Sequence, residues 1–153
     1  MAMYTLEQLN DLECIRRLRV LYSHYYDGQD LDALCSLFTK DALCRFGAGH
    51  GGDWNCLPAI RANYAAWFEK FPGSFSVLHA VTNHWVELTG PVSATGRAFL
   101  LDYNFHRPQR PTPLGTVGVY DDVYAKTESG WKFQRMSLDF LWPDREILSW
   151  PPR

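Results

Sequence analysis

The chain has 153 residues, of which 46% are hydrophobic and 15% aromatic, and its formal net charge is −2 at pH 7. That length suits one domain with a single core, the charge excludes the basic footprint of a nucleic-acid binder, and no apolar run nears the roughly 18 residues of a membrane span. One domain over residues 1–153 is expected, with its core at about 5–141 and a strap at 142–153.

Two further features bear on the compartment. Met1-Ala2-Met3-Tyr4-Thr5 lacks a charged leader followed by an apolar stretch. Cys14, Cys35, Cys44 and Cys56 contain no C-x-x-C pair. The expectation is a cytoplasmic protein with reduced core thiols.

Thr5-Leu6-Glu7-Gln8 fits a capping box, and Leu9, Leu12, Leu18, Tyr22 and Tyr25 follow at helical spacing. A long helix is predicted from about residue 5 to 26, with Asp11, Glu13, Arg16, Arg17 and Arg19 mostly on its polar side. Gly28 permits a sharp or left-handed exit. Asp30 starts a second, short helix with Leu31, Leu34, Leu37 and Phe38 inward. Residues 42–46 read as a strand. The glycine-rich stretch 47–53 reads as a mobile loop or lid; it lacks the G-K-[ST] of a phosphate cradle. Pro58 suits the first turn of a third helix, whose apolar face carries Ile60, Tyr64, Trp67, Phe68 and Phe71. Pro72-Gly73 stops it.

From Ser74 the period becomes twofold. Residues 76–88, 94–106, 114–127 and 131–141 read as four strands, separated by turns at Gly90-Pro91 and Glu128-Ser129-Gly130 and by a proline-rich connection at 107–113. Helices followed by a run of strands indicate α+β, with three helices on one face of a strongly curved, mixed or antiparallel sheet enclosing a pocket.

Alternation places Val77, His79, Val81, Asn83 and Trp85 on one face. It does the same for Ala98, Leu100, Asp102 and Asn104, and for Trp131, Phe133, Arg135, Ser137 and Asp139. Polar groups on an inward face must be paired or functional, because an unpaired buried polar group costs about 1–3 kcal/mol. Histidine suits proton transfer, a carboxylate on one ring nitrogen fixes its tautomer, and a tyrosine hydroxyl can donate to a developing enolate oxygen. Tyr26, Asp27 and His79 supply these functions if the end of the first helix meets the strand carrying His79. His24, one helical turn before Asp27, is a second partner for that aspartate. Asn83 is a candidate backbone anchor or bulge. His50, His84 and His106 have no partner that the sequence names. No His/Cys/Asp/Glu set has metal-ligand spacing, so cofactor-free chemistry is expected.

The order Tyr26-Asp27-Gly28-Gln29-Asp30-Leu31-Asp32, Leu37-Phe38-Thr39-Lys40-Asp41-Ala42, His79-x-x-x-Asn83 and Gly130-Trp131-Lys132-Phe133 resembles the SnoaL-like branch of the NTF2-like superfamily over roughly residues 5–141. The resemblance implies an α+β cone with a pocket at its wide end, often in a homodimer or homotrimer. Within the superfamily, the Tyr-Asp pair and the strand histidine are most similar to scytalone dehydratase and the bile-acid 7α-dehydratases. By that likeness His79 is the base, Asp27 orients it, Tyr26 binds the substrate oxygen, and Asp102 is a second polar pocket residue. Arg135, Tyr120, His24 and Trp67 are the substrate-binding candidates. A second strand histidine of scytalone dehydratase has no counterpart, since Leu101 or Asp102 stands near its place, and its late asparagine falls near Tyr120. The implied activity is a cofactor-independent dehydratase (a lyase), or a related isomerase or polyketide cyclase, acting on a hydrophobic steroid- or polyketide-like carbonyl compound. The alternative is a non-catalytic binding or assembly module of the same fold.

Overall fold

The computed structural model describes residues 3–105 and 112–148. Helix α1 spans Leu6–Asp27 and begins with the expected capping box: Thr5 Oγ1 accepts the Gln8 N–H at 3.2 Å, and Gln8 Oε1 accepts the Thr5 N–H at 2.9 Å. Helix α2, Leu31–Ser36, is capped by the Asp30 carboxylate. Strand β1, Phe38–Arg45, precedes a 3-10 turn at Ala48–His50, a short strand β2 at Asp53–Asn55, and helix α3 at Leu57–Lys70. Four long strands follow: β3 Val77–Gly90, β4 Ser93–Asn104, β5 Leu114–Thr127 and β6 Gly130–Trp142. They form one mixed six-stranded sheet in the order β2-β1-β6-β5-β4-β3, in which only β1 and β6 run parallel. The sheet stays open, with the three helices packed on one face. Ile15, Leu34, Ile60, Phe133 and Met136 are fully buried between the two layers. Among the described residues, no helix is long and apolar enough to cross a membrane.

Several local expectations are corrected. Phe38 begins β1 rather than facing inward from a helix, because α2 stops after six residues. The left-handed residue after α1 is Gln29 (φ 58°), while Gly28 stays right-handed. The Gln29 side chain is tied down by Phe71 O and the Gly73 N–H, which offsets the backbone strain. The stretch 47–53 is folded rather than loose: His50 N–H and Gly52 N–H both donate to Gly47 O, and its last residue begins β2. Cys14 and Cys56 are exposed; only Cys35 and Cys44 are core thiols. His106 and most of the proline-rich connection lie outside the described residues, as does the end of the tail.

Two bulges change which side chains face inward. Between the pairs Thr82–Phe99 and Trp85–Arg97, two residues of β3 oppose the single Ala98 of β4. Asn83 takes a left-handed conformation there (φ 53°), which asparagine tolerates better than most residues. Beyond it His84, Val86 and Leu88 turn inward, while Asn83 and Trp85 turn out. In β6, Gln134 is the extra residue between the pairs Tyr124–Phe133 and Val123–Arg135. Met136, Leu138 and Phe140 therefore continue the inner face, and Arg135, Ser137 and Asp139 go to the outer one.

Asp11 and Arg19 were expected on the polar side of α1, yet both are buried. Each sits at helical spacing with Ile15 and finds a partner far along the chain. Asp11 accepts from the Trp131 indole N–H at 2.8 Å and pairs with Lys126. Arg19 meets Asp122 through its Nε at 3.1 Å and through Nη2, and its guanidinium lies 4.0 Å from the centre of the Tyr120 ring. Tyr124 also donates to Asp122, and His84 Nε2 lies 3.2 Å from the Tyr124 hydroxyl.

Burial, and then the charges of Arg19 and Arg16, push His84 down from 6.5 to about 4. The unfolded chain therefore takes up this proton before the folded one does. Its contribution to stability is complete above pH 6.5 and is lost as pH falls toward about 4. Thermal melts across that window are expected to decline less for His84→Gln than for the native chain. Superimposable declines would rule out this histidine as a source.

Candidate active site

The last turn of α1 and the start of β3 build the site. Asp27 is buried at the helix end, and its carboxylate grips one residue twice. Oδ2 accepts the backbone N–H of His79 at 2.9 Å, and Oδ1 lies 2.6 Å from His79 Nδ1. Facing a carboxylate, Nδ1 carries the ring proton, so Nε2 is the basic nitrogen left to the cavity. The next loop holds the helix end against the strand: Phe75 N–H donates to Asp27 O, and the Ser74 hydroxyl donates to Gly28 O.

His79 lines a cavity of about 620 Å³ between the sheet and the helices, together with Tyr26, Trp67, Asp102 and Tyr120. That volume is within the usual range for small-molecule sites. The Tyr26 ring packs edge-on against His79, with centroids 4.5 Å apart, and against Phe68 and Tyr64. Asp102 is the cross-strand partner of His79 and is itself opposite Thr116. Two polar side chains from neighbouring strands thus enter the cavity beside each other. Deeper, the hydroxyls of Tyr22 and Tyr64 lie 3.0 Å apart.

The electrostatics keep the phenols protonated. Tyr26 is raised well above its ordinary value, first by burial and then by Tyr120, Asp102 and Asp27, and only partly offset by a hydrogen bond with Trp67. Tyr120 is raised chiefly by burial, against the opposing charge of Arg19. Both remain hydrogen-bond donors at neutral pH. The arrangement brings together an imidazole held through Nδ1 by a carboxylate, a phenolic donor beside it, a second carboxyl group and apolar walls.

Two sequence candidates are not brought here. His24 is exposed on α1, because the turn that buries Ser23 and Asp27 points it outward. Arg135 lies on the outer face of the sheet, past the Gln134 bulge, where its Nη2 is 3.3 Å from Asp121 Oδ1. Asp121 also takes Arg97 at 2.7 Å. Other lining residues escaped the sequence reading: Trp54, Tyr64, Asn104, Thr116 and His50. Asn104 was legible as the next inward residue after Asp102, and Thr116 follows once β4 and β5 are put in register. Among the described residues, no three of His, Cys, Asp and Glu converge as metal ligands.

A family model for the SnoaL-like domain matches residues 7–137. Among curated proteins none matches the chain. Similar solved structures include a protein described provisionally as a scytalone dehydratase from Novosphingobium aromaticivorans. It is 21% identical, with 92% of this chain and 90% of that chain covered and a TM-score of 0.77. An NTF2-like protein with a cystatin-like fold from the same organism is 19% identical, with 94% of each chain covered and a TM-score of 0.73. A third protein from that organism, described provisionally as an aromatic ring hydroxylase, is 26% identical, with 88% of this chain and 92% of that chain covered and a TM-score of 0.72. These likenesses show the NTF2-like, cystatin-like fold.

Proposed function

The chain belongs to the SnoaL-like family, and from that premise we propose that it is a cofactor-independent dehydratase acting on a hydrophobic carbonyl compound. The observation that carries this reading is the double grip of Asp27 on His79, which leaves one imidazole nitrogen for a cavity that Tyr26 also lines. His79 Nε2 removes a proton from the carbon next to the carbonyl. The C–H electrons move toward the carbonyl oxygen, where the Tyr26 hydroxyl donates a hydrogen bond to the enolate. The electrons then return to expel a β-hydroxyl, which takes back the proton held by His79 and leaves as water. Asp27 balances the transient imidazolium and keeps Nδ1 protonated. Asp102, beside His79, contacts the departing hydroxyl. An isomerase or cyclase would begin with the same proton abstraction and differ only in what the enolate does next.

The test is turnover of a panel of fused-ring and steroidal β-hydroxy ketones, read by the absorbance of the conjugated product. Release of water from at least one, at a rate that depends on enzyme concentration, supports the reading. A panel that binds in the cavity without any elimination favours the non-catalytic binding module instead.

The outer face of the sheet supports a second proposal, that the chain is a homo-oligomer. Leu78, Trp85 and Phe99 stand on neighbouring strands of that face and are 45%, 54% and 49% exposed. Trp85 and Phe99 are diagonal neighbours, with Leu78 further along β3, and exposed apolar patches mark association surfaces. Sedimentation equilibrium is expected to give a dimer or trimer for the native chain and a monomer for the Trp85→Glu, Phe99→Glu double variant. Equal molar masses would contradict it.

A further inference from the structure

The cavity has a second histidine, on the rim away from His79. After Trp142 the chain folds back beside β6, and Phe140 and Glu146 exchange both backbone hydrogen bonds (2.8 and 3.0 Å). Glu146 thereby takes the edge of β6 where its pairing with β1 has ended at Arg45–Ser137. Its carboxylate rests on the backbone of the 47–52 loop. A Cβ at Gly47 would stand 2.3 Å from Glu146 Oε1, and Gly47 also has a positive φ (76°), so a side chain is excluded there twice over. The ring of His50 is held on two sides. It stacks flat on Phe140, with centroids 3.4 Å apart and planes within 10°, and its Nδ1 lies 3.5 Å from Glu146 Oε2. Among the described residues, no group hydrogen-bonds to the other nitrogen, Nε2. His50 lines the same cavity as His79.

The sheet register gives the separation of His79 from Phe140, the residue on which His50 stacks. His79 on β3 is opposite Asp102 on β4, Asp102 is opposite Thr116 on β5, and the next inward residue, Gly118, is opposite Phe140 on β6. Three interstrand steps and a two-residue shift along the strand span roughly 16 Å along the sheet. Aromatic side chains line the same cavity, among them Tyr26, Phe46, Trp54 and Trp67.

We propose that His50, held by Phe140 and Glu146, is a second hydrogen-bonding contact for the substrate, and that the pocket takes a flat, apolar fused-ring compound with an oxygen function at each end. The inference rests on the reading of this cavity as the substrate site. One oxygen is the carbonyl or hydroxyl met by Tyr26 and His79. The other, on the far ring, meets His50 Nε2. The flat stack on Phe140 fixes the plane of the imidazole, so the contact selects where on the far ring the oxygen stands. Glu146 is a positioning residue that acts through His50.

The probes are naphthalene-2,6-diol and 2-naphthol, compared by isothermal titration calorimetry on the full chain. The symmetric diol gains about twofold statistically, and a second hydrogen bond adds roughly a further five- to tenfold. The native chain is expected to show that combined preference. His50→Phe keeps a flat ring over Phe140 but no hydrogen-bonding nitrogen, and is expected to reduce the preference to the statistical factor. His50→Gln is expected to restore part of it. Circular dichroism checks that each variant is folded. Failure of both naphthols to bind, a native preference no larger than the statistical one, or a preference that survives His50→Phe would each overturn the proposal. If β-hydroxy ketones are turned over while the preference is only statistical, the catalytic reading stands and this inference falls. If the preference depends on His50 but nothing is turned over, the catalytic reading falls and the ligand class remains.

Discussion

Replacing His79 with alanine is expected to lower kcat on a β-hydroxy ketone by about 10³- to 10⁴-fold, the upper range for a positioned general base. KM should change much less, because one small ring contributes little of the apolar contact that binds the substrate. Asp27→Asn tests the same centre without removing volume. The amide oxygen can still accept the His79 backbone N–H, but its NH₂ would then face Nδ1 and move the ring proton to Nε2. The base would be occupied in the wrong tautomer, and a loss of roughly 10²- to 10⁴-fold in kcat is expected. A loss below tenfold in both variants would mean that the base lies elsewhere.

The second large effect is on stability. Asp122→Ala leaves the Arg19 guanidinium fully buried without its carboxylate. Removing one partner of a buried ion pair costs about 3–5 kcal/mol. For a domain of this size each kcal/mol shifts the melting temperature by roughly 2–4 °C, so a fall of about 10–15 °C is expected by calorimetry. Arg19→Met combined with Asp122→Leu should recover most of that loss, because apolar replacement of both partners is often neutral or stabilising. A single-variant shift of only a degree or two would contradict this account of the buried pair. The pair matters to the site as well. Arg19 lies against the face of Tyr120, which lines the cavity, so the single variant should also weaken ligand binding.

The helices and the four long strands were legible because their periods are long and their stops explicit: Thr5 and Gln8 at one helix start, Asp30 and Pro58 at the next two, and Gly-containing turns between strands. The Asp27–His79 juxtaposition was legible only through the order of motifs, since nothing local in either segment encodes a contact across fifty residues. Facing failed wherever a strand carried one extra residue. Up to Phe133 alternation assigns β6 correctly; after the Gln134 bulge it inverts, which carried Arg135 into the predicted pocket. The same happened to Asn83 and Trp85, although the asparagine was recognised as a bulge candidate. Charge misled on α1, where Asp11 and Arg19 lie on the buried stripe because Trp131 and Asp122, more than a hundred residues later, satisfy them. His50 had no visible partner for a similar reason: Glu146 reaches it only because the tail folds back along β6.

The most direct test of the central claim isolates proton abstraction from everything that follows it. 1-Tetralone has an acidic carbon beside its carbonyl and no β-hydroxyl to lose. Its exchange of that hydrogen for deuterium in D₂O can be followed by proton NMR in the presence of catalytic protein. The native chain is expected to accelerate exchange well above the buffer rate, and His79→Ala and Asp27→Asn to return it to that rate. Native exchange no faster than buffer, or acceleration that persists in His79→Ala, would contradict the assignment of His79 as the base.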